Sequence, residues 1–232
     1  MNNLLIILLI LLILIYYFIN NATNTNNTNN TNNTNNTNST NNTKTPLIIK
    51  NFLTNDQCEY IKKVSVNFKK SNTLADSNYL DTTHRNSETC WIDKSADKNI
   101  CEIIKKSCNL INYPFEHSED LQVVKYSAGG FFNEHNDSCF DYSENCKDFH
   151  KRGGHRVATL LIALSDPDEY SGGETRFSNL NKNFKLNKGD AILFYNINEL
   201  NKENIYSKHG GLKINSGEKW IANVWIREYP FK

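Results

Sequence analysis

The first lysine, arginine, aspartate or glutamate in the chain is Lys44, so all 26 basic and 25 acidic side chains lie in residues 44–232. A domain that buries an apolar core must present charged groups to water, so only this part of the chain can make an ordinary globular domain. It is long enough for one domain with a substantial core. Its formal charge is only +1. That balance offers no basic excess for a phosphate backbone, which argues against a nucleic-acid partner.

The charge-free part has two compositions. Leu4–Ile19 is almost pure Leu and Ile, closed by Tyr16, Tyr17, Phe18 and Ile19. It has no polar face, so it is no soluble amphipathic helix. Its 16 residues fall slightly short of the ~20 that cross a bilayer as a helix. An uncleaved signal anchor over residues 1–19 and a cleaved signal peptide both fit. The absence of a small-x-small site after Phe18 favours the anchor, although Met1-Asn2-Asn3 lacks a basic n-region. The expectation is a single-pass membrane protein with its domain in the secretory lumen or outside the cell. Residues 20–45 are largely a repeated Asn-Asn-Thr, which cannot bury a core and reads as a disordered stalk. The repeat writes Asn-x-Thr sequons from Asn21 to Asn41, so a glycoprotein is expected in a glycosylating compartment. Triplet expansion without any role would write the same repeat.

Residues 46–232 begin with helical signals and end in strands. Pro46–Phe52 reads as a short first strand. Thr54 is an N-cap, with Asp56 in the first turn and Cys58, Ile61, Val64 and Phe68 at helical spacing. Asn72–Asn86 is polar and reads as a loop. Asp97–Ile111 reads as a second helix with Ile100, Ile103, Ile104, Cys108 and Ile111 on one face. Thereafter Leu121–Tyr126, Phe131–Asp137, Thr175–Phe177, Phe184–Leu186, Ala191–Tyr195, Tyr206–His209 and Lys219–Arg227 read as strands. Arg156–Leu164 is apolar on both faces and is expected at the centre of a sheet. Gly129-Gly130, Gly172-Gly173 and Gly210-Gly211 read as breaks between strands. The order implies an α+β fold, a jelly-roll-like sandwich or barrel buttressed by N-terminal helices.

The six cysteines, Cys58, Cys90, Cys101, Cys108, Cys139 and Cys146, lack zinc-site spacing. Behind a secretory segment they suggest disulfides, with Cys101–Cys108 and Cys139–Cys146 as local candidates. On a reducing side they would be free buried thiols.

Four residues stand out chemically. His135 and Asp137 are two apart on an extended segment, so an imidazole and a carboxylate share a face. They are two thirds of a 2-His-1-carboxylate facial triad, which binds Fe(II) and leaves positions open. His209, ending a strand, is a candidate third ligand. Lys219 opens an otherwise apolar strand, where burial is costly unless it meets an anion. On that strand Lys219, Ile221, Asn223 and Trp225 share one face.

The ordered set Tyr126-x-x-Gly129-x-Phe131-x-x-x-His135-x-Asp137, Arg156-x-Ala158-Thr159-Leu160-Leu161, Gly172-Gly173-Glu174-Thr175-x-Phe177, Lys188-Gly189-Asp190, His209-Gly210-Gly211 and Gly217-Glu218-Lys219-Trp220 resembles the catalytic domain of prolyl 4-hydroxylases. These are Fe(II)- and 2-oxoglutarate-dependent dioxygenases, and the likeness runs from about Phe52 to Trp225. It implies a double-stranded β-helix, Fe(2+) held by His135, Asp137 and His209, and 2-oxoglutarate held by Lys219 with help from the hydroxyl of Tyr126 or Thr159. It also implies L-ascorbate as a helper, a proline-containing peptide as substrate, and succinate and CO₂ as products. Lysine at position 219, where lysyl and oxygen-sensing prolyl hydroxylases carry arginine, points to the collagen-type or plant-type branch. Two departures stand out. Ser138–His155 is a polar segment holding Cys139 and Cys146, expected as a disulfide-pinned loop at the rim of the site. Leu212-Lys213 replaces the Cys-Pro pair common in the family. Another 2-oxoglutarate oxygenase, acting on peptidyl lysine or a small molecule, and a non-catalytic glycoprotein domain are the rival readings. Oligomeric state leaves no mark in the sequence.

Overall fold

The computed structural model describes residues 44–71 and 83–232. The anchor, the stalk up to Thr43 with its sequons, and most of the Asn72–Asn86 loop lie outside the described residues. Among the described residues no helix is long and apolar enough to cross a membrane.

The chain starts with strand β1 (Leu47–Ile49) and helix α1 (Asn55–Val64). The Thr54 hydroxyl accepts from the Gln57 N–H, and the Gln57 side chain accepts from the Thr54 N–H, so the helix opens on a capping box. The helix stops at Val64, short of Phe68, which instead packs edge-on against Trp220 at 5.1 Å. Strands β2 (Lys69–Lys70), β3 (Arg85–Asn86) and β4 (Glu88–Ile92) follow. Arg85–Asn86 is thus a strand where a loop was expected. Helix α2 (Lys98–Asn109) is capped by Asp97 and buries Ile100, Ile103, Ile104 and Cys108. Each buried isoleucine contributes about 1.5–3 kcal/mol relative to an exposed one.

The strand-rich half is β5 (Leu121–Tyr126), β6 (Phe131–His135), helix α3 (Glu144–Lys151), β7 (Arg156–Ala163), β8 (Tyr170–Gly172), β9 (Thr175–Phe177), β10 (Lys182–Phe184), β11 (Ala191–Tyr195), β12 (His209–Gly211), β13 (Ile214–Gly217) and β14 (Lys219–Arg227). A seven-stranded sheet runs β1-β11-β7-β14-β5-β4-β2, and a five-stranded sheet runs β10-β9-β12-β6-β3. Alternation sorts the large sheet into two faces. Leu121, Val123, Ala158, Leu160, Ile162, Ala222 and Val224 pack with the isoleucines of α1 and α2. Val124, Leu161, Ile192, Phe194 and Ile221 pack with Phe177 and Ile214 in the space between the sheets. All eight residues of β7 are buried because it lies between β11 and β14 with a layer on each face. This is the jelly-roll-like, helix-buttressed architecture expected.

Local differences have local causes. The segment after Asp137 contains α3, capped by Ser143, where only loop was expected. Residues 205–207 form one 3₁₀ turn, so the extended stretch begins only at His209. Gly210 and Gly211 continue that strand instead of breaking it. A Cβ on Gly210 would lie 2.9 Å from the Phe132 carbonyl oxygen, so glycine lets β12 approach β6 closely.

Cys139 and Cys146 are disulfide-bonded, with Cα atoms 5.5 Å apart. Cys101 and Cys108 are free. Both pairs are seven residues apart, but Cys101 and Cys108 lie on one helix, where that spacing is ~10 Å of axial rise, beyond disulfide reach. Cys139 lies in a loop that folds back on α3. Burial pushes the thiols of Cys58 and Cys108 up to about 11, which keeps them protonated and unreactive.

Candidate metal centre

Strands β6 and β12 pair antiparallel with His135 opposite His209, which brings the two imidazoles to 4.4 Å between ring centroids. Asp137 follows β6 by two residues and turns its buried carboxylate to the same place. One donor atom from each of His135, Asp137 and His209 lies within 4.8 Å of the others. His135 Nε2 is 3.6 Å from Asp137 Oδ1, and His209 Nε2 is 3.9 Å from Asp137 Oδ2.

Each donor is oriented by its neighbours. His135 Nδ1 is 2.8 Å from the Asn133 carbonyl oxygen, and His209 Nδ1 is 2.8 Å from that of Ser207. A carbonyl only accepts, so both Nδ1 atoms carry the proton and both Nε2 lone pairs face the carboxylate. Asp137 Oδ2 accepts from the Thr159 hydroxyl at 2.7 Å and from the Trp225 indole N–H at 3.0 Å. Thr159 and Trp225 are cross-strand partners on β7 and β14, so one register position supplies both bonds. The Asn196 amide donates to Thr159 Oγ1 at 2.9 Å, which directs the hydroxyl proton to the carboxylate.

The charge state suits a cation. Burial alone would raise the Asp137 carboxyl, but the adjoining imidazoles of His209 and His135 and the Arg156 guanidinium hold it far below the usual carboxylate range. Burial, and then the neighbouring His135, push His209 down to about 4, so it is a neutral ligand at physiological pH. Two oriented imidazoles and one carboxylate, with space on the remaining side, fit an Fe(II) facial triad.

The same cavity holds Lys219. Its Nζ donates to the Gly173 carbonyl oxygen at 2.7 Å and to Thr175 Oγ1 at 3.3 Å. Among the described residues no carboxylate forms an ion pair with it. Burial pushes it down to about 8, with Glu174 opposing and Lys185 reinforcing. Tyr126 is its cross-strand partner and also lines the cavity, with Leu161, Ile214 and Ile221 on the apolar walls. Burial raises the Tyr126 phenol, so it stays protonated and able to donate. The shared face of β14 runs from Lys219 to Trp225, as the alternation predicted.

Thr159 sits elsewhere than expected. It does not line the cavity; its hydroxyl is spent on Asp137. Thr159→Val should therefore weaken metal binding about tenfold or more, the usual effect of removing a group that orients a ligand. Mn(II) titration reads this directly, and an unchanged affinity would contradict it.

The resemblance puts the peptide groove near Arg85 and Trp91, before the second helix, without giving either a role, and Arg152 carried no signal in the sequence. Arg85 lines the cavity from β3, its Nε donating to Ser87 Oγ at 2.8 Å and its guanidinium 4.4 Å above the Phe132 ring. Its place in the segment where the family shapes its peptide groove was the signal the sequence offered. An open groove beside the metal ligands is lined by Trp91, Phe132, Arg152, Arg156 and Trp225. Arg152 brings the cysteine-containing segment to the rim of this groove. His84 also lines it, whereas His117 lies away from the site, with its Nδ1 at the Arg227 carbonyl. His150 and His155 pack on each other at 4.3 Å beside the disulfide loop and offer nothing to the triad.

Residues 121–227 match the model of the 2OG-Fe(II) oxygenase superfamily. A protein of Acanthamoeba polyphaga mimivirus assigned by name to the prolyl 4-hydroxylases is 42% identical over 190 residues, covering 80% of this chain and 75% of the relative. The chain belongs to the prolyl 4-hydroxylase family of 2-oxoglutarate–Fe(II) oxygenases. Prolyl 4-hydroxylase 2 of Arabidopsis thaliana is 30% identical over 208 residues, covering 79% of this chain and 67% of the relative. Among solved structures, the viral collagen prolyl hydroxylase of Paramecium bursaria Chlorella virus-1 in complex with 2-oxoglutarate is 29% identical with a TM-score of 0.63. That match covers 81% of this chain and 98% of the neighbour.

Proposed function

We propose that this domain hydroxylates peptidyl proline to 4-hydroxyproline, consuming O₂ and 2-oxoglutarate and releasing succinate and CO₂. The observation that carries the reading is His135, Asp137 and His209 converging on one cavity with a buried Lys219 that forms no ion pair among the described residues, in a member of this family. The reaction balances: O₂ takes four electrons, two from oxidative decarboxylation of 2-oxoglutarate and two from the proline C–H bond. One oxygen atom enters succinate and the other the hydroxyl group.

Bound iron supplies the oxygen chemistry, and the chain supplies placement. His135, Asp137 and His209 hold the ion on one side only. Lys219 holds the distal carboxylate of 2-oxoglutarate as a point charge, and the Tyr126 hydroxyl is placed to donate alongside it. Leu161, Ile214 and Ile221 keep water from that end of the cavity. The peptide lies in the groove of Trp91, Arg156 and Trp225, with its reacting carbon on the open side of the triad. A non-catalytic glycoprotein domain would have no use for a desolvated ammonium, which costs folding energy without an anion to meet.

The deciding experiment incubates the protein with Fe(II), 2-oxoglutarate, L-ascorbate and a proline-rich peptide. Succinate should form in a peptide-dependent way, and mass spectrometry should place one added oxygen on proline. Oxygen on lysine, or succinate formation indifferent to peptide, would replace this reading with one of the rival oxygenase activities.

A further inference from the structure

Glu119 lies just before β5, outside the cavity and wholly buried. Its Oε1 accepts from Arg156 Nε at 2.6 Å and from Arg227 Nε at 2.7 Å, and its Oε2 accepts from Arg156 Nη2 at 2.9 Å. Three charge-assisted hydrogen bonds thus tie one carboxylate to two arginines on β7 and β14. Burying that many charges stabilises a fold weakly at best, so its upkeep suggests another use.

Both arginines reach onward. Arg156 Nη1 donates to the Asp137 carbonyl oxygen at 3.3 Å, and its guanidinium lies 3.5 Å over the Trp225 ring. Trp225 is also held by its own carbonyl, which accepts from the Glu119 N–H at 2.9 Å. Its indole N–H is the donor to Asp137 Oδ2 at 3.0 Å. Arg227 Nη1 donates to the carbonyl oxygens of Phe149 at 2.9 Å and Gly154 at 2.8 Å, pinning the far end of the segment that begins after Asp137.

The Glu119 carboxylate therefore reaches both ends of Asp137 through Arg156, the main-chain carbonyl by the Arg156 hydrogen bond and the carboxylate by way of the Trp225 ring beneath the guanidinium. We propose that Glu119 is a positioning residue that sets the aim of the Asp137 carboxylate and hence the metal affinity of the site. The inference rests on the metal-binding reading above. The path does not extend to Lys219, whose contacts are Gly173 and Thr175 on the other side of the cavity. Metal binding and 2-oxoglutarate binding should therefore respond differently.

Glu119→Gln keeps the shape and removes the charge. Mn(II) titration, read by the electron paramagnetic resonance of the free ion, should show binding weakened about tenfold or more. The KM for 2-oxoglutarate at saturating metal should stay within about twofold of wild type, because uniform loosening is not what the variant causes. Glu119→Asp, which restores the charge on a shorter arm, should fall between the two. A folded Glu119→Gln protein that melts earlier but binds Mn(II) as wild type does would reduce the cluster to fold support and overturn the proposal. A parallel rise in the 2-oxoglutarate KM would overturn it too. Should Glu119→Gln not fold, Glu119→Asp decides, with wild-type Mn(II) affinity counting against and selectively weakened affinity counting for. Wild-type protein that binds no Mn(II) removes the functional reading and this inference together, whereas wild-type binding with unaltered variants removes this inference alone.

Discussion

Alanine at His135, Asp137 or His209 should cut peptide-dependent succinate formation about a thousandfold or more. Metal assistance is worth several kcal/mol, and each 1.36 kcal/mol is tenfold in rate. The three substitutions should differ in their effect on the apoprotein. Asp137→Ala strands the Thr159 hydroxyl and the Trp225 indole N–H, each now without its acceptor in a buried place. An unsatisfied buried donor costs about 1–3 kcal/mol, so Asp137→Ala should also lower the apoprotein melting temperature. His135 is partly exposed, and its loss should be felt mainly in metal binding. Turnover near the wild-type rate in any one of the three, with Mn(II) affinity intact, would break the assignment.

The second large effect has opposite signs for function and stability. Lys219→Met removes the cation that meets 2-oxoglutarate. Losing one partner of a buried charge pair costs about 3–5 kcal/mol, so the KM for 2-oxoglutarate should rise about a hundredfold or more. Among the described residues the same lysine forms no ion pair, and burial depresses it to about 8. Methionine fills similar space without the desolvation cost, so the variant should melt higher, by an amount on the order of 1–3 kcal/mol in stability. The pH dependence follows the same logic. Between about pH 8 and the ordinary lysine range, the unfolded chain binds a proton at this position that the folded chain does not. Wild-type apoprotein should therefore gain stability as pH rises through that interval and show the full penalty below about 8, and Lys219→Met should flatten the slope. Affinity for 2-oxoglutarate should fall as pH rises above about 8, where the neutral amine no longer holds a carboxylate. A variant that melts lower than wild type and still saturates with 2-oxoglutarate at wild-type concentrations would refute the role.

Much of the molecule was legible in the linear chain because the deciding interactions are short-range. The Thr54 and Asp97 caps, the helical spacing of the isoleucines and the extended apolar character of Leu121–Tyr126 and Lys219–Arg227 involve neighbours a few residues apart. The His135–Asp137 spacing marked the two as neighbours at one site, although β6 ends at His135 and Asp137 lies in the bend just beyond it rather than on the strand. A ligand set in motif order needs no knowledge of what surrounds it. What surrounds it was decided only by the tertiary structure. Tyr126 and Thr159 were alternative helpers for 2-oxoglutarate, and cross-strand register places Tyr126 beside Lys219 and Thr159 against Asp137. Two cysteine pairs of equal spacing differ because one lies along a helix and the other across a turn. Glu119, Arg156 and Arg227 are far apart in sequence, and no periodicity announces that one carboxylate joins them. Local sequence sets the conformation and facing of each segment, because dihedral preferences and alternation act over a few residues. Register and layer stacking set which faces meet, because those depend on hydrogen bonds and packing between segments that the chain brings together only on folding.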